Sequence, residues 1–228
     1  MENEDSIFIE WVKESQNLKN YDFIILPGSK QTIKDQIFLE NSGLSQDIRE
    51  YSENNGHIIG ICGGLQMLGT ILEDPFLKEG SKNFSEQKIR GIGLLPLKTT
   101  FTKKKLTRQI SSESLWPCQS KINGFEIHNG QSELDSAQNS LKINPIFKDI
   151  NLGWYKENKK GGTIAATYIH GIFENDIWRD QYINLIRKRK KLPPLEKKTR
   201  SYKMKRESII DNLANEFDKH LNISSFLN

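Results

Sequence analysis

An α/β fold is predicted, with a mostly parallel sheet flanked by helices and a helical tail at its C-terminal end, and three observations predict it. A nearly unbroken apolar run over residues 21–26 stops at Pro27-Gly28, and a second, over residues 57–61, stops at Cys62-Gly63-Gly64. Helical spacing lies between and after them, at residues 45–54 and at Leu65, Leu68 and Leu72. Buried parallel strands read as continuous β-branched runs, and their alternation with helices marks βαβ units. Sites in such sheets form at the carboxyl ends of the strands, which puts the Pro27-Gly28 loop and Cys62 on one edge.

In chain order, residues 6–12 (Ser-Ile-Phe-Ile-Glu-Trp-Val) are a β-rich run, and residues 21–26 read as an interior parallel strand. Pro27 and Gly28 end that strand, and Ser29 or Thr32 is placed to cap a helix starting near Ile33. Residues 45–54 form an amphipathic helix closed by Asn55-Gly56. After the Cys62 turn and its helix, residues 73–87 read as a loop with little structure. Period-two alternation over residues 122–130 suits an exposed-edge strand, and residues 164–169 form the last clear strand. The domain is assigned to residues 6–186. Residues 187–228 are a basic linker and an amphipathic helix over 204–221, with Ile210, Leu213, Phe217 and Leu221 on one face to dock on the domain.

Composition narrows the class. At 228 residues the chain suffices for one α/β domain and is too short for two large ones. The net charge of +4 is uneven, since residues 187–206 hold much of the positive charge. Pro193-Pro194 interrupts that stretch and no aromatic residue interleaves residues 187–200, so a solvated linker is expected there and no nucleic-acid partner. Two cysteines, Cys62 and Cys118, make no disulfide framework and suit a reducing cytoplasm. The acidic start is followed by no apolar signal core, and no run reaches the roughly 18 apolar residues of a membrane span, so no membrane partner is expected.

The chemistry centres on Gly60-Ile61-Cys62-Gly63-Gly64. A lone cysteine at a strand corner is more often a plain core residue. Here glycines flank it and a helix follows, the form of a nucleophile elbow, in which free N–H groups favour a thiolate and the Gly63 N–H can hold an oxyanion. A thiol nucleophile needs an imidazole base, distant in sequence but near in space. Of the four histidines, His57 enters the elbow strand at its far end and His220 lies in the terminal helix. His128 and His170 both end strands near glycine, and spacing alone does not separate them.

Gly60-Ile61-Cys62-Gly63-Gly64-Leu65-Gln66-Met67-Leu68-Gly69 resembles the nucleophile motif of class I, triad-type glutamine amidotransferases, which have a flavodoxin-like sheet. Leu26-Pro27-Gly28-Ser29-Lys30, the Gly-Ile-Gly-Leu-Leu-Pro run at residues 91–96, and Gly124-Phe125-Glu126-Ile127-His128-Asn129-Gly130 are similar to the CobB/CobQ-like, cobyric acid synthase branch, with Phe125 and Asn129 as departures. The resemblance implies a nucleophile at Cys62, oxyanion donors at Gly63 and Gly28, and a glutamine contact at Gln66. Thr167-Tyr168-Ile169-His170-Gly171-Ile172-Phe173-Glu174-Asn175 matches the family motif that carries the base, which selects His170. Many relatives have a glutamate two residues after that histidine, but Ile172 stands here. Glu174 is then the third catalytic candidate, with Glu126 behind it.

The resemblance further implies glutamine as substrate and an ATP-dependent synthetase domain as partner, through which a corrin would be amidated. ATP and magnesium would belong to that domain and no cofactor or metal to this chain, which lacks a G-x-x-x-x-G-K-S/T phosphate loop and an acidic metal cluster. In such synthases the amidotransferase domain follows the synthetase and begins with a strand upstream of Ser6, so the chain is expected to be a fragment or a separately encoded half. Two other readings are an amidotransferase subunit for cell-wall precursor amidation and a non-catalytic interaction module.

Overall fold

The computed structural model describes residues 6–79, 87–135, 142–196 and 202–220. Its elements are β1 (Ile24–Leu26), α1 (Thr32–Asn41), α2 (Leu44–Glu53), β2 (Ile58–Ile61), α3 (Gly63–Leu68), β3 (Ile71–Glu73), β4 (Lys88–Arg90) and β5 (Leu97–Ser114). They continue with β6 (Ser120–Leu134), β7 (Asn144–Pro145), β8 (Gly153–Glu157), β9 (Thr163–Thr167), β10 (Ile169–His170), α4 (Asp176–Arg189) and α5 (Tyr202–His220).

Two five-stranded sheets result, ordered β1-β2-β9-β8-β7 and β10-β6-β5-β3-β4. The α/β class stands as the sequence predicts. The parallel part of the first sheet is β1, β2 and β9, while β8 and β7 extend it antiparallel. Leu26 pairs with Gly60 and Ile61 with Thr167, so the chain leaves all three parallel strands at one edge. That edge receives Pro27-Gly28, Cys62 and the turn into β10. Tyr168 separates β9 from β10, and there the chain crosses into the second sheet.

Alternation along β2 fills both faces of the first sheet. Ile58 faces α2 and α3 through Ile48, Tyr51, Leu65 and Leu68, while Ile59 faces α4 and the β5–β6 hairpin through Trp178, Tyr182, Ile186 and Ile122. Both isoleucines are fully buried, each contributing about 2 kcal/mol of apolar burial.

Several expectations are corrected. Residues 6–12 form no strand, and Phe8 and Trp11 are exposed, because β propensity alone does not hold a segment that finds no ladder partner. Among the described residues β1 lies at an edge of its sheet rather than inside it. β6, read as an edge, lies between β5 and β10, and its alternation reflects one solvated face. β5, which no sequence signal above singled out, pairs with β6 along its length, with a register shift between Phe101 and Leu106. The stretch over 73–87 carries the end of β3 and a turn built on Asp74; residues 80–86 lie outside the described residues. α5 forms, yet Ile210, Leu213 and Phe217 are exposed instead of docking, and Leu221 lies outside the described residues. The basic residues Arg187, Lys188 and Arg189 close the last turn of α4, where cations complement the helix dipole.

Candidate active site

Cys62 joins β2 to α3 with φ 52° and ψ −105°, a region that L-residues rarely occupy and that marks functional strain. Its N–H donates to the Thr167 carbonyl at 2.8 Å and its own carbonyl accepts the Gln66 N–H at 3.1 Å, so sheet and helix both fix it. Glycine makes the turn possible. A Cβ on Gly64 would lie 2.1 Å from the Leu26 carbonyl oxygen, and one on Gly60 2.6 Å from the Gly64 backbone. The helix therefore rests directly on β1 and β2, an approach that a larger residue forbids. Strand, strained cysteine and close-packed helix together make a nucleophile elbow.

The Pro27-Gly28-Ser29 loop lies against this turn. A Cβ on Gly63 would meet the Ser29 nitrogen at 2.7 Å. A Cβ on Gly28 would sit 3.8 Å from the Cys62 Cβ and 3.6 Å from His170 Cε1, so Gly28 lies beside both side chains. His170 ends β10, held opposite Phe125 of β6. Its Nε2 is buried without a hydrogen-bond partner. An orphaned buried ring nitrogen is costly, and a base waiting for its substrate presents such a group.

The thiol is 6% exposed and donates to the Ile127 carbonyl at 3.4 Å. Burial pushes its pKa up to about 11 against the opposing Gly63 N–H; Glu79 and Glu126 add to the rise and Lys105 counters it. Cys62 thus rests as a neutral thiol at physiological pH, and turnover requires a base to remove its proton.

Cys62, Gly28, Gly63 and His170 are brought together, and Gln66 lies one helical turn beyond Cys62, its N–H donating to the Cys62 carbonyl. Gln66 is buried, accepting from the Thr32 hydroxyl at 3.1 Å and donating to the Tyr168 hydroxyl at 3.4 Å. Tyr168 hands this chain on to Ser132 at 2.6 Å. Glu174, expected to orient His170, does not reach it. Its carboxylate is half-exposed, folds over Gly171 and faces Arg206 at 3.7 Å. Glu126 is buried but spends its oxygens on Arg108 and on His128, the latter at 2.8 Å.

His128 stacks on Tyr168 with ring centroids 3.8 Å apart, and both its ring nitrogens face acceptors, Glu126 and the Gly130 carbonyl. Neither is left to take a proton from Cys62, which separates it from His170. His57 is buried at the opposite end of β2 against Thr163, and His220 is exposed on α5. Sequence reasoning missed Glu79, which approaches the site from the Asp74 turn. The only local signal was an acid shortly after an Asp-Pro turn in a stretch read as loop.

A family model described as the CobB/CobQ-like glutamine amidotransferase domain matches residues 1–178. The chain belongs to that family. The cobyric acid synthase of Prochlorococcus marinus strain MIT 9312 is 83% identical over 228 residues, covering all of this chain and 45% of that protein. That of strain NATL1A is 44% identical over 221 residues, 97% of this chain and 44% of the relative. The chain therefore spans less than half the length of these relatives. A solved glutamine amidotransferase shares the fold, with a TM-score of 0.53 at 15% identity over 77% of this chain and 84% of that one. The family membership and fold class expected of the motifs are borne out. Among the described residues of this amidotransferase domain, no helix is long and apolar enough to cross a membrane.

Proposed function

We propose that this chain is the glutamine-hydrolysing half of a cobyric acid synthase, supplying ammonia for ATP-dependent amidation of corrin-ring carboxylates. The observation that carries the reading is the pairing beside Gly28 of a strained Cys62 with a buried, unpartnered His170 Nε2. In the first step His170 takes the thiol proton as sulfur attacks the side-chain amide carbon of glutamine. The Gly63 and Gly28 N–H groups hold the oxyanion, and His170 returns the proton to the departing nitrogen, leaving a thioester and ammonia. Water, deprotonated by His170, then releases glutamate and restores the thiol. Gln66, tied to Thr32 and Tyr168, shapes the floor on which the substrate lies.

Acceptor chemistry is assigned to the part of the relatives that extends beyond this chain, which is more than half of their length. ATP, magnesium and the corrin belong to that synthetase half, and the amidotransferase domain works without a cofactor of its own. Two free cysteines support a reducing cytoplasm as its compartment. The test is glutamate release from glutamine by the purified chain, alone and with a separately expressed synthetase half. Release abolished by Cys62→Ala and stimulated by the partner is expected. A folded chain silent in both mixtures would return the site to the non-catalytic reading.

A further inference from the structure

The helix behind Cys62 carries a buried amide whose orientation is set from outside the reacting pair. Gln66 is 2% exposed and packs on the Gly130 backbone, where a Cβ would stand 2.7 Å from its Nε2. Its Oε1 accepts the Thr32 hydroxyl at 3.1 Å and its Nε2 donates to the Tyr168 hydroxyl at 3.4 Å. A primary amide offers two donor and two acceptor positions. Among the described residues these contacts use one of each, which leaves Gln66 one N–H and one lone pair for a ligand.

The two ends of an amide are alike in shape and opposite in hydrogen bonding, so a neighbouring hydroxyl holds one orientation only when its own hydrogen is committed elsewhere. Tyr168 meets that condition. It is 2% exposed, its hydroxyl lies 2.6 Å from Ser132 Oγ, and Ser132 Oγ lies 2.6 Å from Thr99 Oγ1. With the phenolic hydrogen given to Ser132, the oxygen is left to accept from Gln66. Burial pushes the phenol up to about 12, against the hydrogen bonds to Ser132 and Gln66, so that hydrogen is present at physiological pH. The ring stacks on His128 with centroids 3.8 Å apart, and Tyr168 stands between β9 and β10, directly ahead of Ile169-His170. Stack and chain position together hold the phenol in place.

We propose that Tyr168 is a positioning residue for the substrate glutamine: its hydroxyl, anchored on Ser132, fixes the Gln66 amide in the orientation that meets the substrate. The assignment rests on the glutaminase reading above, with Gln66 as the glutamine contact. A preset amide spares binding the cost of ordering it, whereas an amide free to turn over offers the wrong end part of the time.

The competing role is structural, since a buried phenol needs hydrogen-bond partners of its own. That role predicts a loss of stability when the hydroxyl is removed, but no loss of affinity that depends on Gln66. The experiment is a double-mutant cycle read by calorimetric binding of L-glutamine to the Cys62→Ala chain, which cannot turn over, with Tyr168→Phe, Gln66→Ala or both added. Tyr168→Phe keeps the ring and its stack on His128 and removes only the hydroxyl.

Tyr168→Phe should weaken glutamine about fivefold, the effect of one hydrogen bond, and Gln66→Ala should weaken it at least as much. On the Gln66→Ala background Tyr168→Phe should change affinity by less than about twofold, because its only route to the substrate is gone. Unchanged affinity in either single variant, or a loss on the Gln66→Ala background as large as on the parent, overturns the assignment while the glutamine site stands. If the Cys62→Ala chain binds no glutamine, the assignment and the glutaminase reading fall together. Should Tyr168→Phe not fold, Ser132→Ala, which takes away the acceptor of the Tyr168 hydroxyl, replaces it in the cycle with the same outcomes.

Discussion

Cys62 donates its thiol proton to the Ile127 carbonyl, 3.4 Å away on β6, and not to His170, whose Nε2 has no partner. The proposed nucleophile is thus held protonated by the strand that pairs with the strand of the proposed base. Burial is the main cause of its pKa rising to about 11, above the ordinary thiol range, so the thiolate fraction is small throughout the physiological range and grows with pH. Without substrate, alkylation of Cys62 by iodoacetamide should accelerate about tenfold per pH unit from pH 7 to 10 with no plateau. Peptide mapping separates it from the half-buried Cys118. A plateau near pH 7 would show instead that a thiolate–imidazolium pair forms at rest.

Gly28 and Gly64 separate chemistry from folding. A Cβ on Gly28 meets only ordinary contacts, 3.6 and 3.8 Å from His170 and Cys62, and its φ lies outside the left-handed region. Gly28→Ala should fold within about 1 kcal/mol of the parent, yet it places a methyl group against both the proposed base and the proposed nucleophile, and glutaminase activity should drop at least about tenfold. Gly64→Ala, driven against the Leu26 carbonyl at 2.1 Å, should cost about 3 kcal/mol or prevent folding. Urea unfolding alongside glutamate release distinguishes the two.

His170 and Glu174 should differ just as sharply. His170→Asn removes the proton carrier and should lower kcat by about a thousandfold. Glu174 is half-exposed and faces Arg206, so Glu174→Gln should change kcat by no more than about threefold. A loss with Glu174→Gln as large as that with His170→Asn would mean that substrate or partner draws this carboxylate onto the imidazole.

What the sequence revealed of this site was local. Gly60, Cys62, Gly63 and Gly64 lie within five consecutive positions, and the steric demand of a strand-to-helix turn is written in their residue types. β1, β2 and α2 were legible because each has an apolar period and a stop signal. The edge or interior character of β6 was not, since its outer neighbour β10 is two residues long and arrives only after the chain changes sheets at Tyr168. Glu79 was hidden for the same reason: a carboxylate in a polar loop looks solvated until Thr32 and Asn129, far away in sequence, close over it. The amphipathic pattern of α5 identified a helix correctly but not what its apolar face would meet.

Away from the site, His57 makes folding depend on pH. It is buried at the start of β2, its Nδ1 2.8 Å from the Thr163 hydroxyl and its Nε2 unpartnered, and burial, with the nearby Arg189 charge, lowers its pKa to about 4. The folded state thus disfavours the proton that the unfolded state binds near pH 6.5. The sign follows: the neutral ring's contribution is present above pH 6.5, is lost progressively as pH falls from 6.5 to 4, and changes little below that. Integrated over this window the loss approaches about 3 kcal/mol. Urea unfolding at pH 7.5 and at pH 4.5 should show a loss of about that size in the parent chain. It should be smaller by most of that amount in His57→Gln, which carries no titrating ring; an equal pH dependence in both would assign the acid sensitivity to other groups.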